Sequence, residues 1–440
     1  MPERFPFTSA VTHVRRIFGR LARTPVAVLM AIAIAVGVAA CTEDFKGGDA
    51  CPSLCPSKPL AFRDTIIDAV TIDSTLPGFP ELGLSSALLL ATRGDTLVTR
   101  GVIRFDVLPT SYQPNKGTTS ESITAVDSVV LTLALDTAGA LGATAVTVEA
   151  FDVDTTKNDS SSVVVKSLFR ADRKLGSVSV VPKAAGDTLR IPLSKTVLAA
   201  KIASGSRLRV GLRITGGNGQ LRILAFRSGA GLPYVRFDPS TDTTYMPLTF
   251  RPTTTFDVAT TDVNLAYQVY SLVDKGSPPP EATTLIVGGY PAYRSYLRFA
   301  LPRFISDSST IVRAEVIITQ RPSKFGNVSD SVGVLPLVPT TTSAVTDLRR
   351  ILDLSADGGF AALDSTRLVP RDSGQRALNI LALARSWRSL PADVPRAVAF
   401  RISDEGAQPA ELRFFNSKAA AGLRPRLRIT YQPRSESAIP

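Results

Sequence analysis

The residues best suited to recognise a charged ligand are arginines that recur within short β-like runs. Val102-Ile103-Arg104-Phe105 alternates apolar and polar positions, and a similar pattern surrounds Arg298. Because neighbouring side chains of a strand point to opposite faces, we expect Arg104 and Arg298 to point away from the core. Guanidinium groups suit the carboxylates or sulfates of an acidic glycan, whereas the alternative is cross-strand pairing with Asp and Glu. The whole set comprises Arg104, Arg209, Arg222 and Arg236, echoed by Arg298, Arg413, Arg426 and Arg428.

Three closely spaced tyrosines form a second candidate group, made of Tyr290, Tyr293 and Tyr296. Aromatic rings stack on the apolar faces of sugars, so these residues could belong to a glycan site. Packing in the core or at a sheet edge is the alternative interpretation.

Three acidic residues form a third candidate group, made of Asp64, Asp68 and Asp73. Together with backbone carbonyls they could surround Ca²⁺, which takes about six to eight oxygen ligands. No EF-hand or RTX spacing accompanies them, and roles in turns or as strand caps are the alternative. The sequence predicts no other cofactor and no other metal.

The shortage of histidine restricts the available chemistry. His13 is the only histidine, so the chain beyond residue 40 has none. Ser-His-Asp and Cys-His nucleophiles, and the His-containing sites typical of catalytic zinc or non-haem iron, are therefore excluded there. Cys51 and Cys55 could close a small disulfide loop in an exported chain, but they lack two further ligands for zinc. No catalytic constellation stands out, so we expect a protein that is not an enzyme.

The first 40 residues have the organisation of a secretory leader. Five arginines and one glutamate precede residue 24, an uncharged apolar run follows, and Val38-Ala39-Ala40 precede Cys41. These four residues resemble the lipobox of bacterial lipoproteins, which implies lipid attachment at Cys41. An uncleaved transmembrane anchor is the alternative. Thr42 is not the aspartate that retains such proteins in the inner membrane, so we expect an outer-membrane lipoprotein that faces the periplasm or the cell surface. Without residues 1–40 the formal charge falls from +12 to +8.

Short β-like runs fill the chain from residue 60, and they recur in the same order. The matched pairs are 102–105 with 296–299, 146–149 with 331–334, 194–204 with 376–388, 209–214 with 397–402, 221–224 with 412–415, and 233–237 with 425–429. The pairs around 194–204 and 376–388 have helical spacing, and the others alternate as strands do. The pattern predicts an all-β chain with two tandem antiparallel β-sandwich domains of jelly-roll type, at 61–240 and 253–433. A signal peptide (1–40), a flexible tether (41–60), a linker (241–252) and a tail (434–440) complete the organisation.

Both repeats contain strand motifs that are similar to DNRLRE-type domains, a family of disaggregatase-related jelly rolls that is also classed among carbohydrate-binding modules. The opening of the first repeat matches at 72–77, 83–89 and 101–107. The close of the second matches at Ala384-Arg385-Ser386-Trp387, 398–401, 413–418 and 424–431. In the second repeat Ala300 replaces the aspartate of the opening motif, and the preceding loop 270–282 also departs from the pattern.

This resemblance implies a jelly-roll fold and a carbohydrate ligand. Together with the leader, it predicts a lipid-anchored envelope protein that holds polysaccharide, acidic if the arginines bind it. A structural or adhesive lipoprotein with a protein partner is the alternative, and a polysaccharide lyase or hydrolase on the same fold is a third hypothesis. The expected partners are the membrane, through lipid at Cys41, and an acidic polysaccharide, with no nucleic acid.

Overall fold

The structure is a computed structural model of the whole chain. It describes residues 62–79, 87–94, 96–113, 119–155, 162–224, 233–239, 247–252, 268–325, 329–337, 364–391 and 394–433. The leader, Cys41, Cys51, Cys55 and the tail all lie outside the described residues. By internal contacts, the described strands and helices all belong to one unit, Phe62–Pro440. Within the described ranges, no helix combines the length and apolarity needed to cross a membrane.

The described chain is an all-β structure with a few short helices. The first repeat contains β1 (Arg63–Ile67), β2 (Val70–Phe79), β3 (Ala87–Arg93), β4 (Leu97–Phe105), β5 (Ser111–Tyr112), β6 (Glu121–Ser122), β7 (Ser128–Ala134), β8 (Val146–Asp152), α1 (Ser162–Ser167), β9 (Lys174–Val180), β10 (Thr188–Pro192), α2 (Lys195–Ala203), β11 (Leu208–Thr215), β12 (Gly219–Leu224) and β13 (Tyr234–Asp238). The second repeat contains β14 (Leu248–Phe250), β15 (Val269–Lys275), β16 (Thr284–Gly288), β17 (Ala292–Phe299), α3 (Arg303–Ser308), β18 (Ser309–Arg321), β19 (Val332–Leu337), β20 (Thr366–Leu368), β21 (Gly374–Asn379), α4 (Leu381–Ser386), β22 (Ala397–Ile402), β23 (Glu411–Phe415) and β24 (Arg426–Pro433).

The first sandwich encloses one hydrophobic core between two antiparallel sheets. One sheet has the order β10-β7-β13-β14, and the other has β12-β3-β4-β11-β8-β9 with β15 alongside β4. Alternation along the strands sends every second apolar side chain inward, including Ile103 and Phe105 of β4 and Leu131 of β7. The predicted sandwich architecture is therefore confirmed.

The second sandwich repeats this arrangement within a single curled sheet of the order β1-β24-β18-β23-β16-β17-β22-β19-β20, with β2 beside β17 and β21 beside β18. Each strand from β16 to β24 occupies the position of its counterpart between β3 and β13. The sheet is continuous because β18 is 13 residues long and also reaches β23. In the first sandwich the corresponding strands are β7 and β12. There, only an isolated bridge between Leu135 and Ile223 links the two sheets.

The two repeats exchange their first two strands. β1 pairs with β24 and β2 pairs with β17, so both belong to the second sandwich. Reciprocally, β14 pairs with β13 and β15 pairs with β4, in the first sandwich. The cores follow the same exchange, since Ile67 lies in the second core and Val269 in the first. The sandwiches thus differ from the predicted ranges 61–240 and 253–433, because an alternating pattern identifies a strand but not its partner.

One of the two predicted helices is also shorter than expected. The 194–204 stretch forms α2, whose first turn is capped by Ser194 Oγ accepting from Val197 N. In the 376–388 stretch the helix begins only at Leu381, and Arg376 lies in β21, which pairs with β18. Pairing with β18 therefore keeps residues 376–379 in a strand, although their apolar spacing is helical.

The outer faces of the large sheets are also packed. In the first sandwich, α1 and the residues that follow it contribute Val165 and Phe169, which pack on Val102, Phe151 and Tyr270. A small apolar cluster elsewhere joins the two sandwiches, and it contains Leu89, Ala91, Leu97, Tyr290 and Phe325. These layers determine which charged residues reach solvent.

Candidate functional site

Arg104 lies on the outer face of its sheet, as alternation predicts, but it is not exposed. Its side chain is directly opposite Arg209 in the β4–β11 register, and each residue is only 1% exposed. Arg104 Nη2 donates to Asp106 Oδ2 at 3.2 Å. The expectation of a solvated arginine face therefore fails at Arg104, because a second layer packs against this side of the sheet.

Arg298 belongs to the second sandwich and is half-buried. Arg104 and Arg298 hence lie in different sandwiches and do not form one surface. Among the other strand arginines, Arg222 pairs with Asp136 and Arg428 with Asp64. These two arginines therefore form ion pairs with Asp, which is the alternative to ligand binding that the sequence left open.

The three tyrosines are buried, and they pack in different places. Tyr290 is 4% exposed and donates from its hydroxyl to Ser271 Oγ at 2.6 Å. Burial raises the pKa of Tyr290 to about 12. Burial, followed by the charge of Glu411, also raises the pKa of Tyr293. Tyr296 is fully covered and packs in a cluster with Phe79 and Leu337. These rings form no exposed platform for a sugar.

Two of the three candidate calcium ligands, Asp64 and Asp73, take separate structural roles. Asp64 accepts from Arg428 at 2.8 Å and from Thr430 Oγ1 at 2.9 Å, on the exposed side of β1. Asp73 Oδ2 accepts from the backbone N–H of Ser417 at 2.6 Å. Throughout the described ranges, no three His, Cys, Asp or Glu residues are grouped so as to hold a metal ion.

The structure instead brings charged residues together at one end of the first sandwich. We call this place the basic cavity, and its lining comprises Asp154, Thr155, Arg173, Lys201, Ser206 and Arg207. The cavity volume is about 570 Å³. That lies within the range of about 300–1,000 Å³ typical of small-ligand sites.

Four elements position the side chains of the basic cavity. The acidic turn follows β8, where Asp152 Oδ1 accepts from Asp154 N and fixes the turn. Arg173 stands at the end of a 3₁₀ turn before β9, Lys201 in the last turn of α2, and Arg207 just before β11. Their convergence depends on the fold and not on spacing along the chain.

Hydrogen bonds hold the cations of the basic cavity in place. Arg207 Nε donates to Asp154 Oδ1 at 2.7 Å, and Arg207 Nη2 donates to Thr155 O at 2.7 Å. Arg173 Nε and Nη2 donate to the carbonyls of Asp152 and Asp154 at 2.5 and 2.6 Å. Lys201 Nζ contacts Asp152 Oδ2 at 3.1 Å and Asp154 Oδ2 at 3.3 Å.

This arrangement leaves positive charge and hydrogen-bond donors available. Arg173, Lys201 and Arg207 carry three positive charges, whereas Asp152 and Asp154 carry two negative charges. Within the described part of the chain, Nη1 of Arg173 and of Arg207 makes no hydrogen bond. Their side chains are 25% and 36% exposed, so a ligand can reach them. The cavity therefore combines accessible cationic donors with the hydroxyl-bearing residues Thr155 and Ser206 in its lining.

Sequence reasoning singled out none of the three cations. Lys201 lies in the 194–204 stretch of helical spacing, and Arg173 and Arg207 lie in none of the matched runs. The signal that could have found them is the Asp-x-Asp turn at the end of a strand, because its half-buried carboxylates favour cations nearby.

Comparisons with known proteins add little. No family model matches the sequence, and no curated protein matches it. Two solved structures of viral capsid protein align over most of the chain. The VP2 subviral particle of infectious bursal disease virus has 11% identity and a TM-score of 0.10 over 86% of this chain and 77% of that one. The T=1 particles derived from infectious bursal virus have 12% identity and a TM-score of 0.10 over 85% and 74%.

Proposed function

We propose that this chain is a lipid-anchored protein of the bacterial cell envelope that holds an acidic polysaccharide in the basic cavity. The observation that carries the proposal is the convergence of Arg173, Lys201 and Arg207 on one accessible cavity. The resemblance of the strand motifs to carbohydrate-binding jelly rolls supplies the ligand class.

The cavity offers distinct partners for the two kinds of group on an acidic sugar. A carboxylate or sulfate would accept hydrogen bonds from the available Nη1 atoms of Arg173 and Arg207. The side chains of Ser206 and Asp154, also in the lining, would exchange hydrogen bonds with sugar hydroxyls. The excess positive charge favours a polyanion over a neutral glycan.

Calorimetric titration of residues 62–440 with alginate-type polymers tests the ligand. Arg207→Ala should raise Kd about tenfold, since a hydrogen bond to a charged group is worth about 1.5–3 kcal/mol. Arg190→Ala removes the same charge from an exposed position on β10 and should leave Kd unchanged. Binding should also weaken as salt rises, because exposed charges are screened over about 8–10 Å.

Circular dichroism should give the same folded spectrum for both variants. If the wild-type protein binds no acidic glycan, the ligand class is rejected and the protein-binding alternative is favoured. If Arg207→Ala and Arg190→Ala bind equally well, the ligand class stands but the basic cavity is rejected as its site.

The envelope anchor has its own test. Cys41→Ser should abolish both membrane association and labelling by palmitate, because the lipobox cysteine is the proposed point of attachment. A serine variant that stays in the membrane fraction without label would instead indicate a transmembrane leader.

A further inference from the structure

A second cavity lies in the second sandwich, between the start of β18 and the helix α4. Its volume is about 160 Å³, and its polar lining comprises Ser306, Ser309, Thr310, Arg385 and Arg388. That is below the range of about 300–1,000 Å³ typical of sites for drug-sized ligands, so it has room for one small group.

Two arginines give the second cavity a positive charge. Arg385 Nε donates to the carbonyl of Ile311 at 3.0 Å, which fixes the guanidinium beside the start of β18. Among the described residues, the Nη atoms of Arg385 and the whole guanidinium of Arg388 make no hydrogen bond or ion pair. Both side chains are exposed. The donors are therefore accessible to a ligand.

The neighbouring carboxylate does not neutralise these arginines. Asp307 Oδ1 accepts from Ser306 Oγ at 2.6 Å and pairs with Arg396 Nη2 at 3.3 Å. Its charge is thus taken up by Arg396, and Arg385 and Arg388 remain as the excess positive charge of the cavity.

The helix that lines the second cavity has a counterpart in the first sandwich. α4 precedes β22 as α2 precedes β11, and β22 and β11 occupy the same position in their sheets. Lys201 of α2 lines the basic cavity, and Arg385 of α4 lines the second cavity. Equivalent helices of the two repeats therefore each bring cations to a cavity, and the rest of each lining comes from different elements.

We infer that the second cavity binds one acidic group, a carboxylate or a sulfate, of the same polysaccharide. This inference rests on the proposed function for the ligand class. A chain long enough to reach both cavities is held at two points, and its second contact forms at a high effective concentration. A short oligomer occupies each cavity separately.

The test is calorimetric titration of residues 62–440 with alginate trimer and with alginate polymer. The wild type should bind two trimers per chain. Arg207→Ala and the double variant Arg385→Ala/Arg388→Ala should each bind one, and each should raise the Kd for polymer at least tenfold. Arg367→Ala is the matched control, since Arg367 is an exposed arginine on β20 outside the cavity.

The outcomes separate the two sites. One trimer per wild-type chain, lost in Arg207→Ala and kept in the double variant, overturns the second cavity and leaves the basic cavity standing. One trimer lost only in the double variant supports the second cavity and rejects the basic one. If Arg367→Ala loses as much polymer affinity as the cavity variants, the loss comes from the overall charge of the protein. That result would overturn the inference.

Discussion

The two sandwiches have the same strand order, but equivalent arginines differ in their exposure to solvent. Arg100 of β4 and Arg294 of β17 occupy matching positions. Arg100 Nε contacts Asp274 at 2.6 Å, and both side chains are at least 20% exposed. Arg294 holds Glu405 through Nε at 2.9 Å and Nη2 at 2.6 Å, and both side chains are only 2% exposed. One sandwich has an accessible ion pair where the other has a closed one.

A second difference concerns the close approach of the outer layer. Gly211 of the first sandwich corresponds to Ala399 of the second. A Cβ added to Gly211 would lie 2.6 Å from the ring of Phe169, which packs directly on β11. The outer faces of the two sandwiches have thus diverged at this position. Function that differs between the halves should be sought on the outer faces and at the ends of the strands.

The largest expected effect comes from cutting the chain at the sequence repeat instead of at the exchanged strands. Residues 62–240 lack β14 and β15 and keep β1 and β2 without their partners. We expect no cooperative unfolding for this piece, because it loses the buried Val269, Tyr270 and Leu272. Residues 87–275 carry all strands of the first sandwich and should unfold cooperatively in urea. Cooperative unfolding of 62–240 alone would show that the exchange is dispensable.

The next effect concerns the closed ion pair. Glu405→Ala should lower the free energy of unfolding by about 3–5 kcal/mol, since it leaves a buried guanidinium without its carboxylate. Asp274→Ala at the accessible pair should cost only about 1 kcal/mol, because water reaches Arg100. Urea denaturation of both variants measures the contrast. Equal losses would mean that burial does not distinguish the two pairs.

Tyr290, at the contact between the sandwiches, should give an alkaline pH dependence. Its pKa is raised to about 12, so its contribution is complete below pH about 10 and is lost as pH rises to 12. The loss should approach about 2–3 kcal/mol. Tyr290→Phe should remove this part of the slope in urea midpoints measured from pH 8 to 11.5. An unchanged slope in the variant would assign the alkaline loss to other groups.

The smallest effect tests the diverged outer face. Gly211→Ala should destabilise the protein by about 1–3 kcal/mol, because Phe169 must move to admit the methyl group. The reverse change at the matching position, Ala399→Gly, should cost about 1 kcal/mol. Thermal unfolding of the two variants provides the measurement. If Gly211→Ala leaves the stability unchanged, Phe169 can move aside at little energetic cost.

The sequence predicts the strands well because their signal is local. The alternation of Ile103, Arg104 and Phe105 correctly assigns two side chains to the core and one to the opposite face. It cannot show that Phe169, more than sixty residues later, packs over that opposite face. The same limit hides the basic cavity, because Arg173, Lys201 and Arg207 come from separate elements and only the tertiary fold brings them together. The strand exchange is hidden for a related reason, since β1 carries no mark of its partner β24.

The pairing of β1 with β24 also bears on how the chain folds. Asp64 and Arg428, which contact each other across these strands, are 364 residues apart in the sequence. Strand β1 must therefore wait for the synthesis of β24, and β14 and β15 must arrive before the first sandwich is complete. Contacts between such distant residues slow folding, because a long loop must close before the contact forms. We expect a slow, late step that closes both sandwiches together, with the edges of β17 and β4 uncovered until then.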